Sequence, residues 1–260
     1  MCPLTQIAIR QFPCLEDNYG YLLHVPAAGL TATIDTPDVG AIGAALKREG
    51  WRLTHILNTH WHPDHAGGNL ALKNEWKAKI IGPGAEADKI PGLDKAVGQG
   101  DIVELGPVAL KVLDVPGHTA GHIAYWIEKE GVLFAGDTLF ALGCGRLFEG
   151  TPAQMWDSLQ KLMALPDETT VYCAHEYTQS NARFALSIEP DNAALVERAD
   201  EVARLRAAGK PTVPSKLGIE KKTNPFLRAK SVEIRERLQL VAADDVTVFA
   251  EVRKRKDNFR

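Results

Sequence analysis

Residues 59–65 read Thr-His-Trp-His-Pro-Asp-His, so three histidines (His60, His62, His65) and one carboxylate (Asp64) fall inside six positions. Imidazole nitrogen and carboxylate oxygen are the donors that borderline divalent ions such as zinc or iron take. Without a cation, several titrating rings would crowd one carboxylate near neutral pH. A solvated histidine-rich loop accounts for an isolated His-x-His, but not for His-x-His-x-Asp-His. The cluster predicts a metal site.

Four donors in one loop seldom complete such a site, and three more stand at comparable places. His118 lies in Pro116-Gly117-His118-Thr119, Asp137 in Ala135-Gly136-Asp137-Thr138, and His175 in Cys173-Ala174-His175-Glu176-Tyr177. The elements that must position them are strands predicted over 54–57, 108–114, 132–135 and 169–173, rich in Val, Ile, Leu and aromatics and bounded by turn residues. Each candidate follows the carboxyl end of one strand, where open sheets present their binding crevice. Gly117 and Gly136 permit tight exits there. Alone, each of the three reads equally well as a loop-capping residue; together, after separate strands, they point to one shared site. His24 and His55 read as structural, and His122 either supports a ligand from behind or fills space.

Further strands are predicted over 6–11, 19–25, 31–34, 79–81, 101–105 and 122–127, with helices over 39–48 and 68–76. Thr151-Pro152-Ala153-Gln154 is a capping box with Pro at the first helical position, opening a helix through Met163. Beyond about residue 174 the pattern turns helical. Leu195, Ala199, Val202 and Leu205 recur on one helical face that Gly209 ends, and further helices fit 231–240 and 244–256. Residues 210–226 read as a loop. The expectation is an α/β catalytic domain over 1–174 and a helical domain over 175–260.

The 260 residues, 45% hydrophobic and 24% charged, suffice for a sizeable core. No run of 18 apolar residues is present, so no membrane span is expected. Met1 to Thr5 lead straight into a strand with no secretory-leader pattern, and the four cysteines (Cys2, Cys14, Cys144, Cys173) form no Cys-x-x-Cys pair, so a reducing, cytoplasmic setting is expected. The net charge of −3 is unevenly spread: residues 210–260 carry +6 and the rest −9. A basic tail suits either an anionic ligand or a solvated helical surface.

The ligand pattern His60-x-His62-x-Asp64-His65, then Gly117-His118, Gly136-Asp137 and Ala174-His175, resembles that of the metallo-β-lactamase superfamily. Within it the chain resembles the glyoxalase II (hydroxyacylglutathione hydrolase) family along nearly its whole length, through Asn18-Tyr19, Asp35-Thr36, Cys144-Gly145-Arg146, Asn224-Pro225-Phe226-Leu227-Arg228 and the tail Arg253-Lys254-Arg255-Lys256-Asp257. The resemblance implies an α/β fold, a four-layer αββα sandwich with a C-terminal helical domain. It implies two divalent metal ions per chain, zinc first with iron or manganese as alternatives: one on His60, His62 and His118, the other on Asp64, His65 and His175, with Asp137 bridging. It further implies a monomeric hydrolase of S-2-hydroxyacylglutathiones such as S-lactoylglutathione, the second step of methylglyoxal removal, with no nucleic-acid or membrane partner.

A water shared by two such ions has its pKa lowered toward about 7, and a thiolate leaving group of pKa about 8.5 departs without an acid. Asp64 and Asp137 are the catalytic carboxylates of this scheme, although Asp64, as a ligand, is a poor base. By the same resemblance Arg253 and Lys256 take the glycine carboxylate of glutathione, and Arg146 and Tyr177 hold its backbone. Phe148 stands where many members carry Tyr, which removes a hydroxyl donor worth about 1 kcal/mol. Rival readings are a mononuclear-iron persulfide dioxygenase, a lactonase or ribonuclease of the superfamily, and a binding module with structural cations.

Overall fold

The computed structural model describes residues 7–259. Residue 6, Cys2 and the leader reading at Met1 to Thr5 lie outside that range. The chain divides into two compact units, one of residues 7–114 with Thr119–Gly136 and one of Val115–His118 with residues 137–259.

The first unit holds β1 (Ala8–Cys14), β2 (Asn18–Val25), β3 (Leu30–Ile34), α1 (Val39–Glu49), β4 (His55–Leu57), α2 (Pro63–Ala66), α3 (Asn69–Trp76), β5 (Lys79–Pro83), β6 (Lys95–Val97), β7 (Ile102–Leu105), β8 (Val108–Asp114), β9 (Ile123–Ile127) and β10 (Val132–Gly136). β1 to β6 form a sheet in sequence order. Its first three strands are antiparallel hairpins and β3 to β6 run parallel. Parallel neighbours need crossovers, which α1 supplies between β3 and β4, and α3 between β4 and β5. Asp38 caps α1 by accepting from Ala41 N, and Gly50 closes it in the left-handed conformation. Ile42, Leu46 and Leu72 of these helices bury against Leu22, Ile56 and Ile80 of the sheet, each contributing about 1.5–3 kcal/mol of apolar burial. On the other face β7 to β10 follow as antiparallel neighbours. The Phe134 ring meets Tyr21 at 5.8 Å and the buried Tyr125 hydroxyl donates to Asn58 O at 2.9 Å. That bond anchors the exit of β4, from which the loop carrying the predicted ligands His60 to His65 departs.

The second unit holds β11 (Leu139–Phe140), β12 (Gly143–Cys144), α4 (Pro152–Met163), β13 (Thr170–Cys173), α5 (Thr178–Ile188), α6 (Ala193–Ala207), β14 (Ser215–Lys216), α7 (Leu217–Thr223), α8 (Val232–Leu238) and α9 (Asp245–Asp257). The capping box at Thr151 and Gln154 is present with both hydrogen bonds. α6 buries Leu195, Ala199 and Val202 and ends before Gly209, whose φ is +65°. Ser231 and Asp244 cap α8 and α9. The predicted loop over 210–226 instead contains β14 and α7. α7 is held by a buried polar knot: Arg198 pairs with Glu220, Glu220 Oε2 accepts Leu142 N at 2.9 Å, and Asn224 Nδ2 donates to Gly143 O at 3.0 Å. These bonds fix the β11–β12 hairpin. Cys14, Cys144 and Cys173 are all buried. Among the described residues no helix is long and apolar enough to cross a membrane.

Candidate functional site

The loop leaving β4 is shaped by a residue that only the family resemblance had singled out. Asp35, just past β3, is buried in the left-handed conformation (φ +58°), and its carboxylate accepts Thr59 N at 2.7 Å, Thr59 Oγ1 at 2.8 Å and His65 Nδ1 at 2.8 Å. The Thr59 hydroxyl has one proton and gives it to Asp35, so its contact with His60 Nδ1 at 3.0 Å is one in which the ring donates. Both His60 and His65 therefore carry their lone pair on Nε2. Asp35 followed the same strand-end rule as the ligands, and that rule was the signal by which it could have been found.

The lone pairs converge. His60 Nε2 lies 3.0 Å from His62 Nδ1, and His65 Nε2 lies 3.4 Å from Asp64 Oδ2. Asn18 Nδ2 steadies Asp64 Oδ2 at 3.1 Å. Pro63 starts the short helix α2 that turns Asp64 and His65 back toward His62. Buried Glu86 accepts Trp61 N at 3.1 Å and Gly121 N at 2.8 Å, joining the ligand loop to the segment that precedes His122. His122 is fully buried and stacks on His60 with ring centroids 4.6 Å apart, so it supports that ligand from behind. Gly136, at φ +51°, leaves no space for a side chain, since a Cβ would come within 2.7 Å of His122 and Thr59. His24 stacks on Trp51, and His55 bonds Thr54; burial lowers the pKa of both, as suits structural rings.

The second unit brings together the other three predicted ligands. Asp137 Oδ2 lies 3.4 Å from His118 Nε2 and 3.3 Å from His175 Nε2. His118 Nδ1 contacts Arg146 O at 2.9 Å; a carbonyl only accepts, so the lone pair of His118 is on Nε2, facing the carboxylate. A direct charge-assisted hydrogen bond would draw these atoms to about 2.7–2.9 Å. Donors that share a tetrahedral cation at about 2.0–2.1 Å stand about 3.3–3.4 Å apart along each edge. These spacings and tautomers fit a metal.

Around His118 and His175 lie two exposed aromatics. Phe148, 62% exposed, packs edge-on to His118 at 5.2 Å, and Tyr177 stacks flat on His175 at 4.7 Å. Arg146 has an exposed side chain. Arg253 is placed otherwise than a surface cation: it is buried, its Nη1 donates to Cys144 O at 2.9 Å, its Nε and Nη2 are held by Asp257, and it covers the Phe226 ring at 4.9 Å. Lys256 donates to Ser180 Oγ at 3.1 Å. Burial first, then repulsion by Arg253, Arg146 and Arg183, pushes its ammonium down to about 8.

Comparisons with known proteins agree with this geometry. The family model described as metallo-beta-lactamase superfamily matches residues 35–175, and the one described as hydroxyacylglutathione hydrolase C-terminus matches residues 176–259. The chain is 58% identical over 254 residues to the hydroxyacylglutathione hydrolase of Brucella anthropi, covering 98% of each. It is 56% identical to that of Methylococcus capsulatus, covering 98% of this chain and 99% of the relative. Among solved structures, ETHE1 from Myxococcus xanthus superposes with a TM-score of 0.66 at 26% identity, over 97% of this chain and all of that one. The fold is that of the metallo-β-lactamases, followed by a helical C-terminal region.

Proposed function

Because the chain belongs to the hydroxyacylglutathione hydrolase (glyoxalase II) family of the metallo-β-lactamase superfamily, it is an enzyme that hydrolyses S-2-hydroxyacylglutathiones, and we propose how its residues do so. His60, His62 and His118 would hold one divalent ion; Asp64, His65 and His175 would hold a second; Asp137 would bridge them. The observation that carries this assignment is the set of imidazole–carboxylate spacings of 3.3–3.4 Å with lone pairs turned inward. Zinc is the ion proposed, since His/Asp sets of this kind suit it. Bound there, the ions would supply Lewis acidity and a water acidic enough to act as nucleophile near neutral pH.

The chain's own residues prepare that chemistry. Asp35, directly and through Thr59, keeps His65 and His60 in the tautomers that can ligate, and the Arg146 carbonyl does the same for His118. Asp64 and Asp137 place carboxylate charge beside the reacting centre. Arg146, Phe148, Tyr177, Arg253 and Lys256 would line the path of the glutathione arm, and Arg253 also braces the Cys144 turn that leads to Arg146. S-lactoylglutathione is the proposed substrate, which would place the enzyme at the second step of methylglyoxal removal. Residues 1–174 would form the catalytic domain and 175–260 the glutathione-binding domain, a division supported by family models that abut at 175 and 176. A monomer in the cytoplasm is the proposed setting.

The test compares hydrolysis of S-lactoylglutathione, a lactam and a lactone at fixed zinc, with metal content measured per chain. Two ions per chain and preference for the thioester are expected. His60→Ala should lose metal and kcat together; full turnover by a metal-depleted variant would refute the assignment.

A further inference from the structure

Two buried acids stand behind the loop that carries His60 to His65. Asp35 accepts from Thr59 Oγ1 and His65 Nδ1, and so decides which ring nitrogens are free. Glu86, 3% exposed, acts instead on backbone: its Oε2 accepts Trp61 N at 3.1 Å and its Oε1 accepts Gly121 N at 2.8 Å. The peptide that carries Trp61 N begins at His60. A peptide is planar, so gripping its N–H fixes the plane that ends at the His60 Cα. The Trp61 ring stands edge-on to the His62 ring at 4.7 Å, and Lys89, from the same turn as Glu86 (Gly84–Lys89), sets its ammonium 4.7 Å from the Trp61 centroid. The second arm reaches His60 from behind, since Gly121 precedes His122, whose ring stacks on His60. The fit is close: a Cβ on Gly121 would come within 2.7 Å of Glu86 Cγ and 2.8 Å of Ala85 Cβ. Asp64 and His65 have supports of their own, Asn18 Nδ2 for the first and Asp35 for the second.

We infer that Glu86 is a positioning residue for the reaction: it sets the spacing of His60 and His62, and through it the affinity for the one ion proposed on those histidines. The inference rests on the proposed two-ion reading. A carboxylate suits the task because it accepts on both oxygens at once. A glutamine of the same shape accepts on one, turns its amide donors against the second N–H, and leaves that group unsatisfied.

The zinc-loaded full chain would be titrated with a chromophoric chelator, and the dissociation constant of each ion read from the zinc given up. The Tm of the stripped chain is measured alongside. The unaltered chain should hold two ions. Glu86→Gln should weaken one of them about 10–100-fold, the usual worth of a partner behind a ligand, and the other by no more than about threefold. Gly121→Ala, which changes no charge and presses on Glu86 from the far side, should weaken one ion in the same way, and keeps the test open should Glu86→Gln not fold. A Glu86 that only held the fold together would lower the Tm of the stripped chain and leave both dissociation constants in place, or loosen both ions alike; either result would overturn the inference. Failure of the unaltered chain to hold two ions is a separate outcome, and would overturn the two-ion reading together with the inference built on it.

Discussion

At the scale of single residues, Lys256 makes the substrate side of the enzyme sensitive to pH. Its ammonium, lowered from 10.5 to about 8 by burial and by Arg253, Arg146 and Arg183, with only Asp257 opposing, loses its charge in a range where glutathione stays anionic. kcat/KM reports groups of the free enzyme, so it should fall as pH rises through about 8. In Lys256→Ala that limb should be absent, and a profile identical to the unaltered enzyme would show that Lys256 does not meet substrate. Stability moves the other way. A Lys whose folded pKa is depressed burdens the native state most below about 8, and the burden lifts as pH rises toward the unfolded value. Lost affinity above pH 8 is thus separable from lost fold. The proposed metal ligands stood out in the sequence because residue type and strand-end placement coincide in all of them. The burial of Lys256 among Arg253, Arg146 and Arg183 did not, since residues so far apart in sequence carry no mark of their mutual influence in space.

At the scale of elements, the helices and long strands could be read from periodicity and caps, Thr151 to Gln154 most directly. What escaped were pieces of two or three residues, β6, β11, β12 and β14, together with α2, α5 and α7. Such strands have no alternation to detect; β12 pairs with β11 only because side chains from elsewhere hold the hairpin. Glu220 of α7, Asn224 and Arg253 of α9 each bond a backbone group between Phe140 and Cys144. Arg253, proposed to meet substrate, also braces that hairpin through Cys144 O. Arg253→Ala strands Cys144 O and uncovers Phe226, at a cost of about 2 kcal/mol, or a few degrees in Tm. Arg253→Lys should recover little, because a single ammonium cannot reproduce the fork. Thermal unfolding checks both, and an unchanged Tm in Arg253→Ala would rule out the brace.

At the scale of the whole molecule, the uneven charge places +6 in residues 210–260 of a chain whose net charge is −3, and the cations proposed to meet glutathione include Lys256 of that segment. Metal should couple to stability as well as to rate, because the ligands are assembled only in the native chain. A ligand at about 100 times its Kd adds about 2.7 kcal/mol to unfolding, so stripping with a chelator should lower Tm by about 5–10 °C and added zinc should restore it. A Tm indifferent to both would place the ions outside the ligand set. One last consequence follows from the buried cysteines. An enzyme that liberates glutathione works amid a thiol and its disulfide, and is open to being capped by its own product. Burial raises Cys14 to about 12, Cys144 to about 11 and Cys173 to about 12, leaving about one thiol in ten thousand or fewer ionised at neutral pH. Exchange needs an accessible thiolate, so at these three positions the catalyst is chemically deaf to the sulfur it sets free.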